Sequence, residues 1–301
     1  MPNSDTVSPA ISSRQVMRGI AFYVVTLLLF AYVDTTTKYL ANRYTVPLLI
    51  WVRYCIHLLF MTVLFVPRER GRILIAQQTW LVALRAFSLV LVSLLMGLAL
   101  QRMPLAEVTA VQFIAPLLVT LLAGPLLKEK IGWVRGVCVV AGFCGVLLVV
   151  RPGSNLNGLG LLFVFLGALG NAFYQMISRL LGASERPLVM LYYLALIGFT
   201  CTSLALPWFW TGEQPTTFDF FLLISLGLVG VIGHLLFSYA YRDAPASTLA
   251  PITYLQLFWS GILGWLVFGH IPTGLTLLGM LIITVSGAVV AVYGHLKSNS
   301  R

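Results

Sequence analysis

Long apolar stretches separated by short polar segments run along this chain. Ten of them are long enough to cross a bilayer, because about 20 helical residues span ~30 Å of hydrocarbon. The connections carry helix breakers or charges, as in residues 66–72 (VPRERGR), which is typical of turns between antiparallel helices. The pattern predicts helices at 19–40, 47–66, 79–100, 105–127, 132–150, 158–181, 187–209, 218–240, 247–268 and 273–295.

The ten stretches form two similar sets of five. Residues 103–110 (MPLAEVTA) align with residues 244–251 (APASTLAP), and each copy continues through an apolar helix, a polar turn and a glycine-containing helix. Because five helices separate equivalent points, the second set crosses the membrane with the opposite orientation. We therefore predict an all-α integral membrane protein with ten transmembrane helices arranged as two inverted five-helix repeats. Its predicted parts are a cytoplasmic tail at 1–18, repeats at 19–150 and 158–295, and a second cytoplasmic tail at 296–301.

Composition and charge agree with this prediction. The chain is 59% apolar and 9% charged, whereas an average soluble domain is about 25% charged. With the N-terminus inside, the inner loops hold thirteen Lys and Arg and the outer loops hold four, with Arg53 and Arg85 set aside as intramembrane. This excess predicts that both termini are cytoplasmic and that the protein lies in the cytoplasmic (inner) membrane. The net charge of +10 does not indicate nucleic-acid binding, since the basic residues form no stripe with interleaved aromatic residues.

The cysteines do not indicate a disulfide framework or a metal site. All four lie inside apolar stretches without metal-ligand spacing, and we interpret them as small buried residues. No metal and no cofactor is therefore predicted. The expected partners are a small-molecule substrate and the lipid bilayer, and a homodimer is left open. The cysteines are Cys55, Cys138, Cys144 and Cys201.

Several motifs together resemble a known family, the EamA-type drug/metabolite transporters. The resemblance covers about residues 19–295 and implies a ten-helix transporter of small molecules, without indicating which one. One departure is His270, which stands where the family often has an acidic residue, so no role is carried over to it. The motifs are residues 34–40 (DTTTKYL), Arg53, 110–116 (AVQFIAP), 128–130 (KEK) and 142–153 (GFCGVLLVVRPG) in the first half, and 239–247 (YAYRDAPAS) and 251–256 (PITYLQ) in the second.

Charged residues within the apolar stretches are the first candidates for a functional site, because burying one at mid-bilayer costs about 2.5–3.5 kcal/mol. Asp34 and Lys38 share one face of their helix, as do Arg53 and His57. One interpretation is a structural salt-bridge cluster in which Lys38 extends to the outer surface. The other is that Asp34 orients Arg53, whose planar guanidinium binds a carboxylate or phosphate through two hydrogen bonds. Arg85 is interpreted as an anchor at the inner surface.

Polar and aromatic side chains in the helices are the remaining candidates, since amides and hydroxyls that face lipid lack hydrogen-bond partners. Pro116 and Pro251 would break their helices and free the carbonyls of Gln112 and Ser247. Candidates for proton coupling are His57, Glu107 and His234, with packing as the alternative for the histidines and contact with water for Glu107. The predicted substrate-binding residues are Asp34, Arg53, Gln112, Asn171, Tyr174, Gln175, Tyr254 and Trp259.

These features favour a secondary transporter that works by alternating access. No phosphate-binding loop and no soluble domain to carry one is found, so protons or exchange would supply the energy. Our first hypothesis is export of an amino-acid-like or carboxylate-bearing compound, and the alternative is import of a vitamin or nucleoside-like cofactor. A membrane-embedded transferase is a remote alternative, since the sequence contains no HExxH, paired Asp or GxSxG motif. A passive channel or a scaffold is the last alternative, which substrate counterflow would distinguish from a carrier.

Overall fold

The structure is a bundle of antiparallel helices. A computed structural model describes residues 13–119, 133–150, 156–181, 184–245, 248–249 and 252–299. In these ranges the model contains no strand, and six helices are long and apolar enough to cross a membrane, with four shorter apolar helices beside them. The helices are α1 (Ser13–Leu40), α2 (Val46–Arg68), α3 (Thr79–Arg102), α4 (Leu105–Gln112), α5 (Trp133–Val150), α6 (Gly158–Leu181), α7 (Pro187–Phe209), α8 (Thr217–Asp243), α9 (Leu255–Phe268) and α10 (Gly274–Asn299).

The predicted helix order is confirmed, and several helices extend beyond the predicted spans. Helix α1 begins at Ser13 rather than at residue 19, so the end of the predicted tail is helical. Helix α8 continues to Asp243, three residues past the predicted end. Polar residues can continue a helix beyond the hydrocarbon, because the backbone hydrogen bonds of the helix do not depend on hydropathy. The predicted Pro251 break and the predicted helix end at 120–127 lie outside the described residues.

Each helix of the first half packs against an antiparallel helix of the second half. The start of α1 meets the end of α8, where a Cβ on Gly19 would lie 2.7 Å from that of Ala244. Further along, the hydroxyl groups of Tyr32 and Ser225 form a 2.8 Å hydrogen bond. In the same way α3 packs along α6, α2 along α7 and α5 along α10.

These contacts have the pattern of a pseudo-two-fold axis that exchanges the halves. If helix α1 is equivalent to α6 and α3 to α8, then the α1–α8 contact has its counterpart in the α3–α6 contact, and both are extensive. Likewise, the contact of α2 with α8 matches that of α7 with α3. The pseudo-two-fold axis maps three further contacts onto themselves, namely α2–α7, α4–α9 and α5–α10. This packing confirms the two-repeat architecture expected from the internal sequence similarity.

The two ends of the bundle are held by different side chains. At the end where α1 begins, here called the proximal end, Arg18 Nε donates to Asp243 Oδ2 over 2.7 Å. At the opposite, distal end, Asp219 accepts hydrogen bonds from Arg43 and Tyr44, each 3.0 Å long. All three bonds connect the first half to the second.

Helices α5 and α10 approach closely enough for their backbones to touch. A Cβ on Gly279 would lie 2.5 Å from the carbonyl oxygen of Gly145, and a Cβ on Gly145 would lie 2.8 Å from that of Gly279. Small residues permit such approach where lipid offers no hydrophobic drive for association. The glycines in this pair therefore set the distance between the two helices.

We expect Gly279→Ala to destabilise the protein. The new methyl group would meet a backbone carbonyl, which cannot move aside as a flexible side chain can, so the two helices must separate at a cost of about 1–3 kcal/mol. The matched control is Gly261→Ala in α9, where the added Cβ would meet no described heavy atom within 4 Å outside its own stretch of helix. Thermal unfolding in detergent should show a lower midpoint for Gly279→Ala and an unchanged or higher one for Gly261→Ala. Equal midpoints for the two variants would contradict this packing.

Candidate functional site

A cavity of about 290 Å³ lies between the two halves. Helices α1, α2, α3 and α4 of the first half line it together with α6, α8 and the region of α9. The described parts of α5 and α10 do not reach it. Its polar lining residues are Asp34, Thr37, Arg53, His57, Ser93, Thr109, Gln112, Asn171, Gln175, His234, Thr253 and Gln256.

One carboxylate and one guanidinium face this cavity. Asp34 on α1 accepts a hydrogen bond from the Gln256 amide and lies within the electrostatic influence of Arg53 on α2. The Arg53 guanidinium lies 4.9 Å from the ring centroid of Tyr54, a cation–π contact that holds it at the cavity wall. Both charged side chains are half-buried. The cavity therefore offers opposite charges on neighbouring helices.

Side-chain amides provide the remaining polar surface. Gln112 lies at the end of the first segment of α4, just before a turn at residues 113–114, and its Oε1 is buried without a hydrogen-bond partner among the described residues. Asn171 and Gln175 lie one turn apart on α6 and both line the cavity. An amide can donate and accept, so this wall suits a ligand that carries both kinds of group.

Two histidines lie together at the cavity. The rings of His57 on α2 and His234 on α8 are stacked, with centroids 6.2 Å apart and planes inclined by 19°. His57 is 3% exposed, and its Nε2 has no partner among the residues that the structure describes. The histidines were predicted as separate candidates for proton coupling, and the packing makes them neighbours. That role remains a prediction.

Three predicted substrate-binding residues lie outside the cavity lining. Tyr174 points toward α3, where its hydroxyl accepts a hydrogen bond from Arg85. Tyr254 is 6% exposed and packs its ring 5.1 Å from that of Phe113, in space left by a glycine of α10. Trp259 packs in the apolar cluster between α1, α8 and α9. The rotation of its helix turns each of these side chains away from the cavity lining.

Glu107 also lies away from the cavity. Contact with water was the alternative to proton coupling for Glu107, but its side chain is 4% exposed, and one of its carboxylate oxygens lies 3.0 Å from Nε2 of His270. This contact joins α4 to the segment after α9 at the distal end, and it gives His270 a partner that the sequence did not indicate. Proton coupling by Glu107 remains a prediction. Lys38 does not extend to the surface either, because its ammonium donates to the carbonyls of Leu100 and Met103 over 2.8 and 2.6 Å.

Arg85 does not reach the surface expected of an anchor. It is 7% exposed, and its guanidinium turns inward, so that Nε donates to Ser178 Oγ over 2.7 Å and Nη2 to Tyr174 Oη over 2.6 Å. The centre of the guanidinium lies 4.5 Å from the Tyr174 ring centroid. The α3–α6 contact encloses this side chain and prevents it from extending to the headgroups.

Some residues that line the cavity were not predicted from the sequence, because they are small or carry no charge. Helix α3 contributes a face with Ser93 and Met96, and Tyr54 lines the cavity beside Arg53. The sequence does contain a pattern that matches this face, because the lining residues of α3 recur three or four positions apart from Leu89 to Leu100. That spacing alone does not show whether a helix face meets a cavity or another helix.

This chain resembles known proteins in sequence and in fold. The profile of the EamA-like transporter family matches residues 17–151 and again residues 158–292. A solved crystal structure with 19% sequence identity matches 93% of this chain and 98% of its own, with a TM-score of 0.66. At this identity the structural match shows the fold alone.

Two kinds of named relatives are found. The "S-adenosylmethionine uptake transporter" of Rickettsia prowazekii (strain Madrid E) is 30% identical over 199 residues, 65% of this chain and 66% of the relative. The "Riboflavin transporter" of Vibrio cholerae serotype O1 is 27% identical over 287 residues, 94% of this chain and 95% of the relative. The chain thus spans nearly all of the second relative but slightly less than two thirds of the first.

We expect Asp34 and Arg53 to be energetically coupled. Asp34→Asn and Arg53→Gln each leave one charge in the cavity without its opposite, whereas the double variant removes both. The summed losses in unfolding free energy of the two single variants should therefore exceed the loss of the double variant by about 1 kcal/mol or more. Denaturant unfolding in mixed micelles gives the three values.

The control cycle uses Glu69→Gln and Arg186→Gln, which remove an ion pair at the surface. Its coupling should be smaller, since exposed pairs contribute about 0–1 kcal/mol. Additive losses for Asp34 and Arg53 would show that the two charges act independently.

Proposed function

Since the chain belongs to the EamA-like transporter family, we propose that it imports a small zwitterionic, nucleoside-like metabolite across the cytoplasmic membrane by alternating access. The family match and the apolar helices show that the protein is a multi-pass small-molecule transporter. We propose the class of its substrate and the direction of transport from the residues that line the cavity and from the relatives.

The observation that carries the substrate class is the pair of opposite charges at one cavity. Arg53 can bind a carboxylate through two parallel hydrogen bonds, and Asp34 can bind a positively charged group. The amides of Gln112, Asn171 and Gln175 can then pair with the edges of a polar ring system or with ribose hydroxyls. S-adenosylmethionine, the compound named for the Rickettsia relatives, has a carboxylate, cationic groups and an adenosyl part.

The direction rests on the relatives rather than on the geometry. The sequence analysis favoured export of a carboxylate-bearing compound, but the Rickettsia proteins are named uptake transporters. We therefore propose import and keep the carboxylate as the recognised group. In the predicted orientation the distal end, with Glu107 and His270, faces outward, and the proximal end, with Arg18 and Asp243, faces the cytoplasm.

The pseudo-two-fold packing supports alternating access. Because the α1–α8 and α3–α6 contacts are equivalent, a rearrangement that opens one end of the bundle has a counterpart that opens the other at similar cost. The stacked rings of His57 on α2 and His234 on α8 lie at the cavity. A movement of α2 relative to α8 would therefore change the distance between the two rings.

A second candidate is a riboflavin-like substrate. The Vibrio relative matches along nearly the whole chain, and the rings of Phe30, Tyr54 and Phe113 line the cavity. A flat ring could pack on these side chains without using a carboxylate contact. The two candidates therefore differ in their dependence on Arg53.

We expect Arg53→Lys to reduce uptake of labelled S-adenosylmethionine into proteoliposomes by at least ~10-fold, because lysine keeps the charge but cannot form the paired hydrogen bonds. Excess unlabelled riboflavin should not compete with this uptake. The matched control is Arg72→Lys, an exposed residue in the loop before α3, which should transport like the unmodified protein.

Two results would contradict the proposal. Uptake by the unmodified protein no greater than that of empty liposomes would exclude this substrate. Competition by riboflavin, together with full activity of Arg53→Lys, would favour the second candidate instead. Counterflow of labelled substrate from preloaded liposomes would separate a carrier from a channel, since only a carrier exchanges through a closed site.

A further inference from the structure

Arg85 carries a buried positive charge without a described negative partner. Its hydrogen bonds go to two neutral hydroxyls, those of Tyr174 and Ser178, and its Nη1 is buried without a partner among the described residues. A buried cation held only by neutral groups is costly, particularly in a membrane.

None of the carboxylates that the structure describes is paired with Arg85. Of the described carboxylates, Glu213 lies in the segment after α7 at the distal end. The others contact different groups: Asp34 with Gln256, Glu69 with Arg186, Glu107 with His270, Glu185 with the backbone N–H of Gln78, Asp219 with Arg43 and Asp243 with Arg18. The guanidinium is therefore free to bind an external anion.

Arg85 lies directly below the cavity on the proximal side. It is one helical turn before Leu89 of α3, which lines the cavity, and its partner Ser178 is about one turn after Gln175 of α6, which also lines it. His234, at the cavity wall, is within the electrostatic influence of Arg85. The guanidinium thus lies about one helical turn from the cavity lining, on the proximal side.

The neutral partners leave two donors for a ligand. The Ser178 hydroxyl donates to the Tyr174 carbonyl of its own helix and so accepts from Arg85, which fixes the guanidinium. The Tyr174 hydroxyl accepts from Nη2, which leaves its own hydrogen available. Nη1 of Arg85 and the Tyr174 hydroxyl can therefore donate together to one oxyanion.

We propose that Arg85 and Tyr174, supported by Ser178, form a second anion-binding site that receives the substrate's carboxylate after it leaves Arg53. This inference rests on the proposed function for the identity of the substrate. It assigns the two intramembrane arginines to successive positions on one path, with Arg53 at the cavity and Arg85 between the cavity and the proximal end. In the predicted orientation, the second site is the cytoplasmic one.

The test uses thiol labelling and requires no knowledge of the substrate. In a full-length protein with its four native cysteines replaced by serine, Ser178→Cys places a thiol beside Arg85. Purified protein is treated with a methanethiosulfonate reagent that carries either a sulfonate or a trimethylammonium group, and the ratio of the two rates is measured. We expect the anionic reagent to be favoured, and Arg85→Gln to lower the ratio by at least ~10-fold, as expected for loss of one fixed charge beside a confined site. The ratio removes any effect of Arg85 on the reactivity of the thiol itself.

Two controls keep the result interpretable. Arg85→Lys retains the charge and should retain the preference for the anionic reagent, which distinguishes charge from a folding defect. A thiol introduced by Ser93→Cys, at a position that lines the cavity, should show a ratio that does not change with Arg85→Gln. Equal rates for both reagents with Arg85 present, or no labelling of the Ser178→Cys variant at all, would overturn the second site.

A transport measurement separates this inference from the proposed function. Arg85→Gln should lower uptake of S-adenosylmethionine at least ~10-fold, because a hydrogen bond from a charged donor to the carboxylate is lost, with little effect on its decarboxylated analogue. A purely structural role would reduce both substrates equally and so overturn the inference. If the unmodified protein transports neither compound, the proposed substrate fails, and the labelling ratios alone decide whether Arg85 forms an anion site.

Discussion

The antiparallel packing of the two halves is the constraint on which the rest of the structure depends. A helix in lipid satisfies its own backbone hydrogen bonds, so the bundle is held by side-chain packing and by a few polar contacts between helices. Because α1 pairs with α8 and α3 with α6, the cavity lies between halves rather than within one of them. The polar groups that line it are therefore contributed by both halves. The ion pairs of Arg18 with Asp243 and of Arg43 with Asp219, at opposite ends of the bundle, also join the halves.

Sequence reasoning was most successful where hydropathy and spacing decide the outcome. The order of the helices and the two-repeat architecture followed from apolar length and internal similarity, and the structure places Asp34, Arg53, Gln112, Asn171 and Gln175 at one cavity. Hydropathy could not predict the rotation of each helix about its axis, which packing decides. For this reason Tyr174, Tyr254 and Trp259, which were predicted to bind the substrate, face other helices instead of the cavity. The pairing of Glu107 with His270 was missed for a related reason, since these residues are 163 positions apart and only the approach of α4 to α9 brings them together.

The position of an arginine along its helix does not by itself predict where its side chain points, as Arg53 and Arg85 show. Arg85 lies near enough to the end of α3 for its side chain to reach the headgroups, so a surface anchor was a reasonable expectation. The structure turns it inward, because Tyr174 and Ser178 of α6 offer hydroxyl acceptors and an aromatic face on the side of α3 that is covered. Arg53, by contrast, has a carboxylate on the neighbouring helix. Arg53 thus lies near an opposite charge within the protein, whereas the described hydrogen-bond partners of Arg85 are both neutral.

The backbone contact between Gly145 and Gly279 has a mechanical consequence. Helices α5 and α10 take no part in the cavity lining in the described ranges, yet they form an extensive contact that is its own counterpart across the pseudo-two-fold axis. If the two halves rotate relative to each other, the rotation needs a pivot. A close-packed backbone contact is stiff enough to serve as that pivot. A rotation of a few degrees there would be amplified with distance, so the side chains farthest from this pair would travel the most for the same angular change.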